Sequence, residues 1–410
     1  MDLTKLKFQL VRYRFNALQL SVEGFDPFEV PKSQITGLYL EKNYEDEHYP
    51  FFVLSIVIPG YLYRAMRANP YKNTITMDLQ AGYYNNAIIN PSEQVTFISK
   101  INGKFLCYMN DVTPELDEEK QNQLSIDDGT YKVGYTYGDL ANVDLLLYKQ
   151  EYLDAGDKVV NQICNANLTD NIIYVCNQAG ISKLRLSPPN NTKVYSEFSI
   201  TPISAIEQLE RICNSYGYHS KGSTIFYDFD CLYIVDKNPE CTVFIKNEYK
   251  TTYLASLTQL RQDDVDKSGC FKDDINKYNV INLISDSISI NDNYQIQDSN
   301  LMYIDAKTGS VSTIQGDNNK KPLSKTLISD KGDDTINAYS NAAKETGSIL
   351  TVGMQYIDLS FLDVNKEFVF TTDVTKHQKY TGSYRISKYT CDFIIEGEYL
   401  SPIIMAEFRK

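Results

Sequence analysis

Alternating apolar residues crowd both ends of this chain, while helical spacing is confined to its middle, and that division limits the folds open to it. Residues 7–11 alternate, residues 34–42 (QITGLYLEK) alternate apolar with small or polar side chains, and residues 74–80 (TITMDLQ) repeat the two-residue period of a half-buried strand. Residues 51–59 (FFVLSIVIP) form a near-continuous apolar run, which suits a strand buried on both faces. Residues 95–101 and 103–109 are predicted to pair through an Asn102-Gly103 turn. One short helix is predicted over residues 61–68, closed by Asn69-Pro70, because proline disfavours helix in the residue before it. Strands return over 351–362, 367–373, 382–390 and 392–408, the last bent near Gly397.

The middle differs. Residues 113–128 (TPELDEEKQNQLSIDD) are acidic and poor in apolar side chains, which suits a solvated loop or weak helix; the EF-hand spacing is missing. Helices are predicted over 157–165 and 171–179, with Gly180 as a C-terminal cap. A longer helix is predicted over 202–216, capped by Thr201 with Pro202 in its first position. Its apolar face is Ile203, Ile206, Leu209, Ile212 and Tyr216, and Gly217 stops it. Two strands follow within 223–235, around Asp228–Asp230, and a third over 241–245. Beyond them lie a strand over 280–290, an exposed polar loop over 308–332 and a helix over 334–345.

This pattern predicts an α+β, mostly β fold with two small β-barrel domains and a helix-containing α+β insert. The expected boundaries are 1–149 for the first barrel with its acidic loop, 150–247 for the insert and 248–348 for a mixed strand and loop region. Residues 349–410 are the second barrel, with strands borrowed from 248–348. The 410 residues are enough for two or three cores, and 32 Tyr with 18 Phe and no Trp favour strands.

Composition excludes several functions. A net charge of −13 opposes tight wrapping by nucleic acid, which needs clustered Lys and Arg. No apolar run approaches the roughly 20 residues of a membrane span, so membrane insertion is not expected. The opening MDLTKLKFQLVRYRF reads as a strand, not a signal peptide. The eight cysteines contain no CxxC and are expected to be reduced, buried small hydrophobes. His48, His219 and His377 stand alone in polar turns and are expected to be exposed loop residues. Cys213 and His219 are separated by a helix stop, which makes a catalytic pair doubtful. Asp228, Asp230 and Asp236 could form a glycosidase pair, but acidic residues in a turn are ordinarily just the turn. The nucleophile elbow, the Walker loop and the zinc motifs are missing, and the sequons at Asn167 and Asn190 carry meaning only after secretion. The expectation is a non-enzyme with no catalytic, cofactor-binding or metal residues and no cofactor.

Three segments carry a resemblance. Residues 204–237 (SAIEQLERICNSYGYHSKGSTIFYDFDCLYIVDK) resemble the middle module of baseplate hub proteins from contractile-tailed bacteriophages and related injection machines. In these a helix ends in Gly before an aromatic hairpin with a Phe-Asp-like pair, and Phe226, Tyr227, Asp228 and Phe229 fill those places. Residues 379–393 (KYTGSYRISKYTCDF) are similar to the Gly-x-Tyr-Arg-Ile strand of the family's later barrel, through Gly382, Tyr384, Arg385 and Ile386. Residues 34–66 look like a hub's first, tube-like barrel. The resemblance implies a structural homotrimer that joins a hexameric tail tube protein to a trimeric central spike protein among other baseplate proteins, with DNA only in transit through its channel. The implied location is the virion tail baseplate, after synthesis in the bacterial host cytoplasm. The chain departs from some relatives in lacking a repetitive spike or lysozyme insert, so these are expected on separate chains. The contrasting functions are a tail-tip cell-wall-degrading enzyme and a peripheral receptor-binding subunit.

Overall fold

The computed structural model describes residues 9–85, 97–109, 140–219, 222–229, 231–237, 252–255, 279–283, 288–293, 299–305, 311–314, 321–329, 347–364, 366–370 and 380–409. The acidic stretch 113–128, the strand 241–245, the helix 334–345 and His377 lie outside the described residues.

The N-terminal part contains β1 (Gln9–Ser21), β2 (Phe28–Glu29), β3 (Ile35–Asn43), β4 (Phe51–Pro59), α1 (Gly60–Ala68), β5 (Thr74–Asn85), β6 (Phe97–Met109) and β7 (Leu140–Lys149). Alternation becomes burial: in β3 Leu38 and Leu40 point into the core, and in β7 Ala141, Val143, Leu145 and Leu147 do. The run in β4 alternates through Phe51–Ile56 and is buried on both faces only over Val57–Pro59, where α1 packs back with Leu62 and Met66. α1 stops at Asn69, just before Pro70, as the proline requires. The expected turn at Asn102-Gly103 is not formed. Both residues lie inside the continuous strand β6, opposite Asp78 and Met77 of β5, which takes the place of a hairpin partner.

The insert comprises α2 (Gln150–Asp157), β8 (Val159–Asn167), α3 (Leu168–Ala179), β9 (Leu184–Leu186), β10 (Val194–Ser204), α4 (Ala205–Glu210, continued by a wider turn over Arg211–Ser215), β11 (Ser223–Tyr227) and β12 (Leu232–Asp236). Two predictions are corrected here. The helix expected over 157–165 is mostly strand β8, because its β-branched residues pair with β10. The helix expected from Pro202 begins at Ala205, because Ser204 and Glu207 form a reciprocal capping box and Pro202 stays in β10. α3 matches expectation, with Asn167 accepting from the Asp170 N–H and Gly180 closing the end at φ +82°.

The remaining strands are β13 (Thr252–Ala255), β14 (Asn279–Asn282), β15 (Ser289–Asn293), β16 (Ser299–Asp305), β17 (Val311–Ile314), β18 (Lys321–Ser329), β19 (Gly347–Gln355), β20 (Phe368–Phe370), β21 (Gly382–Glu396) and β22 (Tyr399–Arg409). The polar loop expected over 308–332 thus contains two strands, both paired to β16. The single strand expected over 280–290 is divided between β14 and β15, which pair with different partners.

Strand order fixes the architecture. The ring β21-β3-β4-β7-β6-β5-β1-β22 closes on itself through the β21–β22 hairpin, giving an antiparallel barrel of eight strands. The α+β, mostly β class is therefore correct, but the expected partition is not. The C-terminal hairpin pairs with β3 and β1 and completes the N-terminal barrel, so 1–149 and 349–410 are not independent copies of one unit. The same hairpin walls a second circuit. β20 and β13 and β14 extend from β21, β19 extends from β22, and a bridge between Leu283 and Met354 brings the two arms together.

One core joins the two ends, with Tyr13, Phe52 and Phe105 buried alongside Tyr389, Phe393 and Ile404, while the insert has a second core around Ile172, Leu209 and Ile212. Cys107, Cys176, Cys213, Cys231 and Cys391 are buried and form no disulfide with one another. Because Phe393 packs edge-on against Tyr13 at 5.5 Å, Phe393→Ala is expected to cost about 3–5 kcal/mol. Hydrogen exchange should then accelerate in β1 and β22 together; faster exchange in β22 alone would mean that the two ends unfold as separate units.

Candidate functional site at the joint between barrel and insert

Chemically distinctive residues gather where the β11–β12 hairpin meets the barrel. Every residue of both strands is buried, because the hairpin serves two cores at once. Ile225, Tyr227, Leu232 and Ile234 face the insert core, and Phe226, Tyr233 and Val235 face the barrel core. Such a doubly buried hairpin needs unbroken apolar sequence, which the run STIFYDFDCLYIV supplies on both sides of its turn.

The turn itself is held by a buried ion pair. Lys42 on β3 reaches Asp228 at 2.5 Å, with the two side chains only 6% and 10% exposed. Asp228 Oδ1 also accepts the Phe229 N–H at 2.7 Å, and the Asp228 N–H donates to the Cys231 carbonyl at 2.8 Å. The Lys42 ammonium lies 4.8 Å from the Phe229 ring and 5.6 Å from that of Tyr389 on β21. Phe229 stacks on Phe52 at 5.3 Å and meets Phe105 edge-on at 6.5 Å, so it sits against the barrel core as a plug. Its carbonyl accepts from Lys149 at 2.6 Å and from the Tyr152 hydroxyl.

Two further contacts fix the hairpin from the side. Tyr44 packs edge-on against Phe226 at 4.5 Å and donates to the Leu362 carbonyl at 3.1 Å; burial pushes its phenol well above the ordinary range. Tyr49 stacks on Tyr227 at 5.2 Å and reaches α2 at Gly156, where any Cβ would stand 1.8 Å from its hydroxyl. Only glycine fits there.

His48 and His219 are not the exposed loop residues expected from sequence. The His48 carbonyl accepts from Tyr227 N–H at 2.8 Å, its Nδ1 meets the Ile225 carbonyl at 3.0 Å, and its Nε2 meets Glu210 at 3.0 Å. Burial lowers its pKa, but the Glu210 hydrogen bond, the Ile225 carbonyl and the charges of Glu210 and Glu47 outweigh that and raise it. His219 is fully buried between Ser223 (2.7 Å from Nδ1) and Ser187 (2.9 Å from Nε2). Burial lowers its pKa, opposed by Asp236 and reinforced by Arg385. Burial likewise pushes the Cys213 thiol up, away from nucleophilic use. The two histidine expectations failed because residues brought in by folding, such as Glu210 and Ser187, supply the partners.

Of the candidate carboxylates, Asp228 is spent on Lys42, Asp236 is buried within the insert and Asp230 lies outside the described residues. Among the described residues no group of three His, Cys, Asp or Glu could hold a metal, and no helix is long and apolar enough to cross a membrane. Sequence reasoning noted Phe226–Phe229 but missed Lys42, whose place in the alternation of β3 gave no sign of a buried partner.

With this geometry in place, comparison with known proteins shows a similar fold and a family. The fold is similar to that of the tail protein from Neisseria meningitidis MC58, with a TM-score of 0.50 at 9% identity over 97% of this chain and 96% of that one. The prophage MuSo2 43 kDa tail protein from Shewanella oneidensis gives a TM-score of 0.48 at 11% identity over 96% and 98%. A Francisella PdpA-VgrG complex gives 0.47 at 12% identity, over 99% of this chain and 53% of that one. No curated protein matches the chain at a significant level. The fold is thus a mostly β barrel fold of the kind seen in the Neisseria meningitidis tail protein. The chain belongs to the Bacteriophage PBS1 gene 109 protein family, whose profile matches residues 29–403.

Breaking the joint has an expected signature. Lys42→Met strands the Asp228 carboxylate and should cost about 3–5 kcal/mol, whereas Lys42→Met with Asp228→Leu should recover most of that loss. Equal losses in denaturant titrations of the two variants would mean that the pair does not hold the hairpin.

The two histidines predict opposite pH dependences. His219 has a lowered folded pKa, so the unfolded chain binds more protons below the ordinary value of 6.5 and stability falls as pH drops through that value. His48 has a raised folded pKa, so its stabilisation is complete below 6.5 and is lost as pH rises through the folded value. Stability measured from pH 5 to 8 should lose its acid-side fall in His219→Gln and its alkaline-side fall in His48→Gln; unchanged profiles would contradict both assignments.

Proposed function

We propose that this chain is a baseplate hub subunit, three copies of which form a ring that joins the tail tube to the central spike and leaves a channel for DNA. The observation that carries this reading is the pair of barrel circuits sharing one hairpin, since three such chains would present six barrel-like units to a hexameric tube and threefold symmetry to a spike. Family membership supports a bacteriophage setting, and the likeness in fold to a tail protein supports the tail. Packing supports the channel's place: eight-stranded barrels are narrow enough for side chains to fill, and this one buries Phe52, Phe105 and Tyr389. A passage for DNA would therefore run between subunits, lined by more Asp and Glu than Lys and Arg, consistent with the charge of −13 per copy.

On this reading the partners are two further copies, the tube protein, the spike protein and other baseplate proteins. The chain acts by assembly, without chemistry of its own. The deciding experiment is an image of the assembled particle at the tube–spike junction. A sixfold set of barrels built by three chains is the expected result, and six separate copies or an off-axis position would overturn it. A clearing band on cell-wall zymograms, abolished by one Asp, Glu or Cys substitution, would favour the tail-tip enzyme.

A further inference from the structure

One outer wall of the eight-stranded barrel is apolar where water favours polar side chains. Along β3, β4, β7 and β6, buried residues alternate with half-buried ones that point away from the core. In an antiparallel sheet with one face on the core, those outward positions are ordinarily polar. Here the cross-strand register lines up Tyr39, Val53, Leu146 and Tyr108 in one row across all four strands. A second row lies beside it, where Phe51 meets Tyr148 at 5.9 Å. Tyr108 joins the rows at 6.2 Å from Tyr148, and Tyr71, 78% exposed, extends them at 6.3 Å from Tyr108.

The charge around this stripe is mostly of one sign. Glu41 accepts from the Tyr39 hydroxyl at 2.9 Å, and Asp144, two residues along β7 from Leu146, accepts from Ser55 at 2.5 Å. Glu47 and, on α2, Asp154 and Asp157 are exposed. Burial raises the phenol pKa of Tyr108 and of Tyr148, and carboxylates add to it: Asp157 and Asp154 at Tyr108, Glu47 and Glu41 at Tyr148. Against them the outer face of β6 sets the exposed Lys104, while Lys149 is engaged by the Phe229 carbonyl.

An apolar patch with a polar rim marks a docking surface, and the sign of the rim selects the occupant. A second copy of this chain carries −13 itself, so the rim opposes it. We propose that this wall of the barrel docks a basic polypeptide segment. Its apolar side chains lie on Val53 and Leu146, and its Lys or Arg side chains lie over the rings of Tyr71, Tyr108 and Tyr148, facing the carboxylates. Four strands span roughly 14 Å, which about four or five extended residues cross. The surface goes beyond the hub reading and does not rest on it.

The chain contains no Trp, so a Trp in the probe reports alone. The probe is the capped peptide Lys-Leu-Arg-Trp-Lys, with Glu-Leu-Glu-Trp-Glu as its acidic counterpart, titrated with the full chain and followed by Trp fluorescence anisotropy. The basic peptide should bind saturably, and more weakly as salt rises, and the acidic one should not bind. Tyr71→Ala should weaken binding about threefold, as loss of an exposed cation–π contact does, without lowering the thermal midpoint. Asp154→Asn with Asp157→Asn should lessen the salt dependence, and Leu146→Lys should weaken binding about tenfold or more by setting like charge against the peptide. Equal binding of both peptides, no saturation, or binding unchanged in all three variants would overturn the proposal. So would self-association of the chain that Leu146→Lys abolishes, because the face would then belong to a second copy.

Discussion

The β21–β22 hairpin is the element on which the rest of the structure depends. Its strands are 15 and 11 residues long, more than one barrel wall needs, and each half pairs differently. Residues Lys388–Asp392 pair with β3 and close the eight-stranded barrel, while Gly382–Tyr384 pair with β20 and open the second circuit. The register against β22 shifts between Ile386 and Lys388, at the point where one set of partners gives way to the other. A bulge bends and twists a strand locally, which is what a wall shared by two barrels requires there. Backbone hydrogen bonds thus couple residues near the two ends of the chain, and neither circuit has a complete wall without them.

The insert is anchored to that frame by a different kind of contact. Apolar packing of Phe229 on Phe52 and Phe105 supplies area but tolerates sliding, whereas the Lys42–Asp228 pair has one low-energy geometry. Lys42 also faces Tyr389 on β21, so the barrel strand, the closing hairpin and the insert turn meet around one cation. The cost of desolvating that cation is offset by the carboxylate and by two aromatic faces. Position along the barrel is therefore specified by charge and filled by aromatic rings.

How much of this was legible in the sequence follows the range of the forces involved. Local patterns translated well: the period-two strands β3 and β5, α1 ending before Pro70, and α3 between Asn167 and Gly180 all depend on neighbours in sequence. Where two local signals competed, the nearer hydrogen bonds decided. The Ser204–Glu207 capping box displaced the apparent start at Thr201-Pro202, and β5 straightened the Asn102-Gly103 turn. The joint was not legible. Nothing near Lys42 announces a partner 186 residues away, and His219 acquires its serines only once β9, β11 and β12 have assembled.

The filled barrel also determines how the proposed hub could act. A barrel whose interior is occupied by Phe52, Phe105 and Tyr389 cannot open a pore without losing several kcal/mol for each aromatic side chain displaced. Its value to an assembly is rigidity, because a closed sheet has no free edge along its ring and presents a fixed outer wall. Among the described residues, the edge strands remaining in the main sheet belong to the second circuit, where β15 pairs with β19 alone. Unpaired backbone groups at such an edge are where another chain can add without disturbing the barrel. Rigid wall and available edge are therefore supplied by different parts of one sheet, joined through the hairpin that both share.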